Sequence, residues 1–434
     1  RTLTQLRNAK LLKGDEALEL YHDRIRETVT ASLSAERERA LHRRLADALR
    51  ARPDADPEAL ARHYAGAGDH ARAFEHTVEA ARRAEATLAF DRAAELYRAA
   101  LTLRRRAPRE LGAVDLEGLR VGLADALRNA GRGAEAATAY LEAAEAAAPR
   151  RAAELRRLAA EQYLFSGHLD DGRAVLRRVL EGVGITFPES PVLTLAEFLA
   201  RRGQVRLRGL SFRERPRERI SEDDLFRIDV CWSIAIGFAM IDPVRGGIFQ
   251  ARHLLMALDA GDLSRVARAV AVEVPFSATS GHENQARTEE LIRIGGALAE
   301  RAGEPYVRGL LASSSGGARW LVGRWAEALA LEEEALSILR GECTGAAWEL
   351  ASSTIVLLDA LWRMGRWPEL FERWPDVLAD AARRGDLLLE IYCRVKFGAL
   401  ALLAADRPDD ATREASAGLA RWSQTGFTLL HLWE

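Results

Sequence analysis

Histidine, serine and acidic residues that could do chemistry occur in this 434-residue sequence without the neighbours that the chemistry requires. His282-Glu283 is followed by asparagine and by no second histidine, so the zinc-binding His-Glu-x-x-His pattern is missing. The serine run at 313–315 has no strand before it that could form a nucleophile elbow. His22-Asp23-Arg24 holds the residues of a kinase catalytic loop in a scrambled order. We therefore expect no catalytic residue in this chain, which is not itself an enzyme.

Cofactor and metal sites are not expected either. No Gly-Lys dipeptide occurs, and a phosphate-binding P-loop needs one. Cys231, Cys343 and Cys393 are scattered, which excludes a Cys-x-x-Cys metal or redox motif and fits a reducing compartment. The 62 basic and 64 acidic side chains nearly balance, so the chain is not a general binder of polyanions, and nucleic acid is not an expected partner.

A basic cluster lies between residues 201 and 219, where eight arginines face two glutamates, a local charge of +6. It could grip the phosphates of a nucleic acid or phosphoprotein. It could equally be a solvated connector whose charge is neutralised by local ion pairs, and we prefer that interpretation. Pro188, Pro191 and Pro216 should interrupt helices there, so the sequence predicts an extended connector over 187–220.

Eight of the nine tryptophans fall in the last 115 residues. Trp325 and Trp367 each end a Gly-Arg-Trp turn, which predicts equivalent positions in two hairpins. Tryptophans in this region could pack between hairpins, or could line a concave groove that holds a peptide or a small ligand. The candidate partner-binding residues are Trp320, Trp325, Trp348, Trp362, Trp367 and Trp374.

The elements that would position these residues are helices. Segments of twelve to twenty residues rich in Ala, Leu, Arg and Glu alternate with short Gly, Asp and Pro breaks, and apolar residues recur three and four apart. A helix around Leu3 to Leu12 and a short strand at residues 18–21 precede them, and no convincing strand follows residue 35. We expect an all-α fold, a right-handed α-solenoid in which each hairpin packs only against its neighbours.

The residues around two of the glycine breaks also indicate an internal sequence repeat. Alanines recur at fixed offsets around Gly68 and Gly131, with Ala73 and Ala136 each five residues after the glycine, and one tyrosine lies near each glycine, Tyr64 and Tyr140. Small residues let paired helices approach, and one aromatic fills the remaining gap. These offsets resemble the tetratricopeptide repeat. The alanine content falls from 31 residues in 51–150 to 2 in 201–250, which indicates a change of array.

A more specific resemblance covers about residues 15–105. The segments Tyr21 to Glu27, Leu41 to Ala46, Leu60 to Asp69 and Ala89 to Tyr97 resemble the joint between the winged-helix end of a bacterial signal-transduction (STAND/AAA-type) ATPase and its helical repeats. Such arrays are often fused to a serine/threonine kinase. The resemblance implies a winged-helix remnant over 1–50. From the composition we expect an alanine-rich array over 51–186, the connector over 187–220, and a tryptophan-rich array over 221–434.

The resemblance also implies a role for His22, which would contact the phosphates of a nucleotide bound in the parent protein. The alternative is a histidine that caps or packs at a strand–helix junction. The chain begins at Arg1 without a leader, and its longest apolar run, 230–241, is too short to span a bilayer. We therefore expect a cytoplasmic fragment of a longer protein with no membrane partner.

Three functions stay open. The chain could be a non-catalytic sensor that binds a protein, a peptide or a small ligand in its concave face and regulates ATPase or kinase domains attached at its amino end. It could be a free-standing scaffold. It could also belong to a DNA-binding transcriptional regulator, which would need a recognition helix beyond residue 434. The joint near residue 20 favours the sensor, because a plain scaffold would not need it.

Overall fold

The computed structural model describes residues 2–13, 19–425 and 428–433, and their backbone is almost entirely helical. Two compact units are present, Arg1–Leu119 and Arg120–Glu434, here called unit 1 and unit 2. This division differs from the four segments expected from the sequence. In the described residues no helix is long and apolar enough to cross a membrane.

Unit 1 begins with a helix and a small hairpin. Strands β1 (Leu12–Lys13) and β2 (Glu19–Leu20) pair antiparallel, with Leu12 opposite Leu20. The first helix ends at Asn8, so the expectation that it extends to Leu12 was wrong. The strand expected at 18–21 is present at Glu19–Leu20, and Leu18 lies outside the described residues. The helices of this unit are α1 (Thr2–Asn8), α2 (Asp23–Ala31), α3 (Ala35–Arg50), α4 (Pro57–Gly66), α5 (His70–Ala86) and α6 (Phe90–Arg106).

Unit 2 continues with helical hairpins, and α7 crosses the boundary between the units. Within the described residues no strand follows residue 20, which confirms the all-α class and the helical-repeat architecture. A π-helical turn at Cys393–Gly398 joins α20 to α21, and a short 3-10 helix occupies Leu429–Trp433. The helices are α7 (Leu116–Asn129), α8 (Gly133–Ala144), α9 (Pro149–Phe165), α10 (Leu169–Val183), α11 (Pro191–Arg208), α12 (Glu222–Ala239), α13 (Pro243–Ala260), α14 (Leu263–Ala278), α15 (Gln285–Ala302), α16 (Pro305–Leu321), α17 (Trp325–Glu342), α18 (Ala347–Arg363), α19 (Trp367–Arg384), α20 (Leu387–Tyr392), α21 (Ala399–Ala404) and α22 (Pro408–Leu419).

The hairpin turns share one backbone geometry. A glycine with φ between +71° and +82° is followed by one residue with ψ between 52° and 81° and then by the next helix. A left-handed residue ends a helix, and glycine adopts that conformation without strain. Trp325 and Trp367 are each the first residue of a helix after such a turn, which confirms that they occupy equivalent positions. The turn glycines are Gly68, Gly131, Gly167, Gly323 and Gly365.

The residues that carry the repeat pattern are buried where paired helices meet. Ala73 in α5 and Ala136 in α8 have no exposed surface, and neither do Tyr64 and Tyr140. The Tyr140 hydroxyl donates to Asp125 Oδ1 at 2.5 Å, which satisfies its buried polar end. The predicted combination of small contacts and an aromatic filler is therefore present in both units.

The predicted extended connector is largely a helix. Pro191 is the first residue of α11, where its missing N–H breaks no hydrogen bond, so it starts a helix instead of interrupting one. Arg202 pairs with Glu273 at 2.6 Å and Arg208 with Asp259 at 2.9 Å. These partners lie on α14 and α13, 71 and 51 residues further along the chain, so the expectation of local ion pairs was wrong for these two arginines. The expectation of an extended chain over 191–208 was also wrong.

We expected each hairpin to pack only against its neighbours, but in unit 2 hairpins that are distant in the sequence also contact each other. The Leu387 N–H donates to the Ser166 carbonyl at 2.9 Å, and the Ser423 hydroxyl donates to Asp170 at 2.9 Å. The turn at Gly167 lies directly against Leu388 and Trp422. These contacts join the α9–α10 hairpin to residues more than 200 positions later in the chain.

Candidate functional site

An apolar cavity of about 390 Å³ lies inside unit 2. Its wall combines side chains from helices that are far apart in sequence, including Ile236 of α12, Phe276 of α14, Trp320 of α16 and Trp348 of α18. Cavities of this size and composition are typical of small-molecule sites.

The carboxyl-terminal segment forms one side of the cavity. Leu429 and Leu430 are among its lining residues, and the Leu429 N–H donates to the Ile241 carbonyl at 3.0 Å. Trp422 holds the start of this segment, because its Nε1–H donates to the Thr428 hydroxyl at 2.9 Å. The carboxyl-terminal segment thus contributes one side of the cavity wall, and hydrogen bonds and apolar packing hold it to the rest of unit 2.

A charged cluster stands at one edge of the cavity around the buried carboxylate of Asp359. Trp320 Nε1–H donates to Asp359 Oδ2 at 2.6 Å, and Arg363 Nε–H donates to the same oxygen at 2.7 Å. The Lys396 ammonium pairs with Asp359 Oδ1 and lies 4.7 Å from the centre of the Trp362 ring. Two cations and an indole N–H therefore compensate this carboxylate.

Lys396 is almost completely buried in the π-helical turn. Burial lowers the pKa of the Lys396 ammonium to about 7, although the ammonium is paired with the Asp359 carboxylate. Sequence reasoning missed this residue. The signal was present, since Lys396 is one of three lysines in a chain with 62 basic residues.

A second carboxyl on the cavity wall has different surroundings. Glu332 of α17 is fully buried, and neither carboxyl oxygen has a hydrogen-bond partner in the described part of the chain. Burial raises the pKa of Glu332 well above its usual range, against the opposing effect of the Ser353 and Ser313 hydroxyls. Space for the carboxyl exists because residue 316 is glycine, where a Cβ would lie 2.5 Å from Glu332 Oε1. No sequence pattern distinguished Glu332 from the exposed Glu333 and Glu334 beside it.

The structure separates the six candidate tryptophans into three groups. Trp320 and Trp348 line the cavity. Trp325 and Trp362 lie with Trp320 around the Arg363 guanidinium, whose carbon is 5.2 to 5.8 Å from the three ring centres. The remaining two do not join them, since the Trp367 side chain is exposed and Trp374 packs against the hydrophobic core. A partner-binding role for these tryptophans stays a prediction.

His22 lies in unit 1 and does not line the cavity. It is the residue before α2 and is exposed, and its side chain makes no capping hydrogen bond. Its contact with a nucleotide in a parent protein stays a prediction. Among the described residues, no group of three or more histidine, cysteine or acidic side chains could hold a metal ion.

Comparisons with known proteins give distant structural similarities. No protein-family model matches the chain, and no curated protein matches it significantly. Among solved structures, it is similar to a signal transduction ATPase with numerous domains (STAND) from Pyrococcus horikoshii that has a tetratricopeptide repeat sensor. The identity is 12% and the TM-score 0.31, with 97% of this chain and 58% of that chain covered.

A second similarity is to the APC/C hetero-tetramer Cut9-Hcn1, at 15% identity and a TM-score of 0.28, with 91% of this chain and 92% of that chain covered. At such low TM-scores neither similarity carries an argument about function. The chain spans little more than half the length of the Pyrococcus horikoshii protein.

Proposed function

We propose that this chain is the non-catalytic sensor region of a longer cytoplasmic protein, in which it binds a ligand and regulates an attached ATPase or serine/threonine kinase. The observation that carries the proposal is the cavity in unit 2, which has the size and the apolar wall of a ligand site. The amino-terminal joint, with its two-stranded hairpin before α2, is where the attached domains would connect.

The way in which the cavity is built supports a regulatory role. Its wall joins α12, α14, α16 and α18 to the carboxyl-terminal segment at 429–432. A ligand that fills this space stabilises the arrangement in which these elements meet, by a free energy that rises with the logarithm of its concentration over its dissociation constant. If attached domains respond differently to the closed and open arrangements, ligand binding changes their activity.

The size and shape of the cavity suit a small molecule better than a peptide as the ligand that the sensor region binds. An engineered cavity of about 150 Å³ binds benzene, so 390 Å³ accommodates a molecule of roughly two to three such rings. A peptide that occupied a groove across several hairpins would need an open face, whereas this wall is closed on one side by Leu429 and Leu430.

The test uses the full-length protein and places a larger side chain at a residue that lines the cavity. Gly317 lines the cavity in α16, and a Cβ at this position would meet no atom within 4 Å. Gly317→Leu should therefore occupy ligand space without a clash. Gly341→Leu is the matched control, because Gly341 is a helical glycine with equally open surroundings that does not line the cavity.

We expect Gly317→Leu to change nucleotide turnover or kinase output in response to the native signal, and Gly341→Leu to leave the response intact. Deletion of residues 220–434 should abolish the response. Unchanged basal and stimulated activity in both the Gly317→Leu variant and the deletion would refute a sensor role and favour the scaffold.

A further inference from the structure

Glu332 differs from every other buried carboxyl in the described part of the chain. Each of the others has a hydrogen-bond donor or a cation from the protein. Glu273 pairs with Arg202, and Glu390 with Arg394 and Arg421. Glu332 has no cation beside it among the described residues, and the nearby Ser313 and Ser353 hydroxyls form no hydrogen bond of normal geometry with either of its oxygens. A buried carboxyl without a partner costs free energy, so native chains rarely keep one without a reason.

The elements packed against Glu332 offer no charge to balance it. Helix α16 contributes Ser313 and Gly316, and α18 contributes Ser353, whose hydroxyl donates to Ser313 Oγ at 2.8 Å. The nearest cationic cluster on the cavity wall, at Lys396 and Arg363, is already paired with Asp359.

The other ionisable groups of this region are also engaged. Glu349 of α18 accepts a hydrogen bond from the Tyr306 hydroxyl at 2.5 Å. Among the described residues, the only carboxyls on the cavity wall are therefore Asp359, which is compensated, and Glu332, which is not.

We propose that the cavity binds a small apolar molecule that carries a protonated amine, and that Glu332 is the counter-ion of this amine. The inference rests on the proposed function, in which the cavity is the ligand site. The aromatic walls at Trp320, Trp348 and Phe276 take the apolar body. The amine supplies the hydrogen bonds and the positive charge that the protein does not provide to Glu332.

Proton release on binding distinguishes an amine ligand from a neutral one. In the empty cavity, burial favours the neutral carboxylic acid of Glu332. A protonated amine pairs with the carboxylate, so binding releases the proton of Glu332 to solvent. Affinity for the amine should therefore rise with pH and decline only as the amine itself loses its proton. A neutral ligand of the same shape leaves that proton in place.

The experiment compares three probes that share one apolar body: phenylbutylamine, phenylbutanol and phenylbutyrate. Their binding to the full chain is measured by isothermal titration calorimetry in buffers of different ionisation enthalpy, which reports the protons released. We expect the amine to bind roughly 10-fold or more tightly than the alcohol, since charge-assisted hydrogen bonds are about twice as strong as neutral ones. Only the amine should release a proton.

Glu332→Gln keeps the shape of the side chain and removes its charge. It should abolish the preference for the amine and the proton release, while the affinity for the alcohol stays within about two-fold, which also shows that the cavity is intact. Glu334→Gln is the control, because Glu334 is exposed on the same helix.

Different binding results would refute the role of Glu332 alone or the proposed ligand site as a whole. If the alcohol or phenylbutyrate binds as tightly as the amine, or if Glu332→Gln binds the amine unchanged, Glu332 is not the counter-ion, although the cavity remains a ligand site. If none of the three probes binds at any pH, the cavity is not a ligand site of this kind, and both proposals lose their support.

Discussion

Substitution of the unpaired carboxyl should stabilise the protein, and the gain should depend on pH. Glu332 is fully buried and has no hydrogen-bond partner among the described residues, so its ionised form is strongly disfavoured in the folded chain. Glu332→Gln preserves the volume and cannot ionise. The variant should therefore be more stable than the wild type wherever the unfolded wild-type chain carries an ionised Glu332.

The raised pKa of Glu332 determines whether this gain in stability rises or falls with pH, and how steeply. Glu332 has an ordinary pKa of 4.5, and burial raises the folded value well above it. Above pH 4.5 the folded chain retains a proton that the unfolded chain loses, so the wild-type free energy of unfolding falls as pH rises. The slope is about 1.4 kcal/mol per pH unit for as long as the folded chain keeps the proton. Above about pH 5 the advantage of the variant should grow by at most about 1.4 kcal/mol per pH unit until the folded chain also loses the proton.

Urea denaturation followed by tryptophan fluorescence measures this advantage. All nine tryptophans lie in unit 2, so the signal reports the unit that contains the cavity even if unit 1 unfolds separately. Other groups also titrate in this range, such as Glu349, whose pKa burial raises to about 7. They are present in both proteins, so their contributions cancel in the difference.

A substitution at an exposed glutamate of the same helix shows whether the pH-dependent gain is specific to the buried carboxyl. Glu334→Gln removes an exposed carboxyl from the same helix and should give a difference from the wild type that changes little with pH. Parallel pH profiles for the wild type and Glu332→Gln would refute the reasoning, because they would mean that Glu332 ionises as readily in the folded chain as in the unfolded one.

Three further predictions concern the walls of unit 2. Lys396→Met should destabilise the chain by about 3 kcal/mol in the same urea assay, because it leaves the buried Asp359 with less compensating charge; an unchanged midpoint would contradict the pairing. Gly167→Ala should cost at least about 1 kcal/mol more than Gly365→Ala, since both glycines have positive φ and only at Gly167 would a Cβ lie 2.6 Å from a backbone atom. In the native chain a thiol reagent should label Cys343 first, because the other two cysteines are buried, and equal labelling of all three would show that unit 2 opens readily.

Much of the fold could be predicted from the sequence because its signals are local. Glycine breaks and three-and-four spacing predicted the helices, and the tetratricopeptide-like offsets predicted which alanines and tyrosines are buried. The error over 191–208 was also local. Proline was treated as a helix breaker, although Pro191 occupies the first helical position, where proline is favoured.

The site could be predicted only in part because it depends on contacts between distant segments. Trp320 and Trp348 were candidate binding residues, and the structure places both at the cavity. Glu332 and Asp359 gave no comparable signal, since charged residues on helices are usually exposed. The burial of Glu332 depends on its packing against α16 and α18, and Asp359 and Lys396 meet across 37 residues of chain; hydrophobic periodicity shows neither contact.

The two carboxyls of the cavity wall link the stability of unit 2 to its proposed function. Asp359 is compensated by Lys396, Arg363 and Trp320, so the same wall can supply partners to a buried charge. An uncompensated Glu332 beside it lowers stability, and such costs persist mainly where function requires them. If Glu332 is kept for an amine ligand, one substitution must have two effects: Glu332→Gln gains stability and loses the preference for the amine probe. A gain in stability with amine binding unchanged would mean that the cost serves no ligand of this kind.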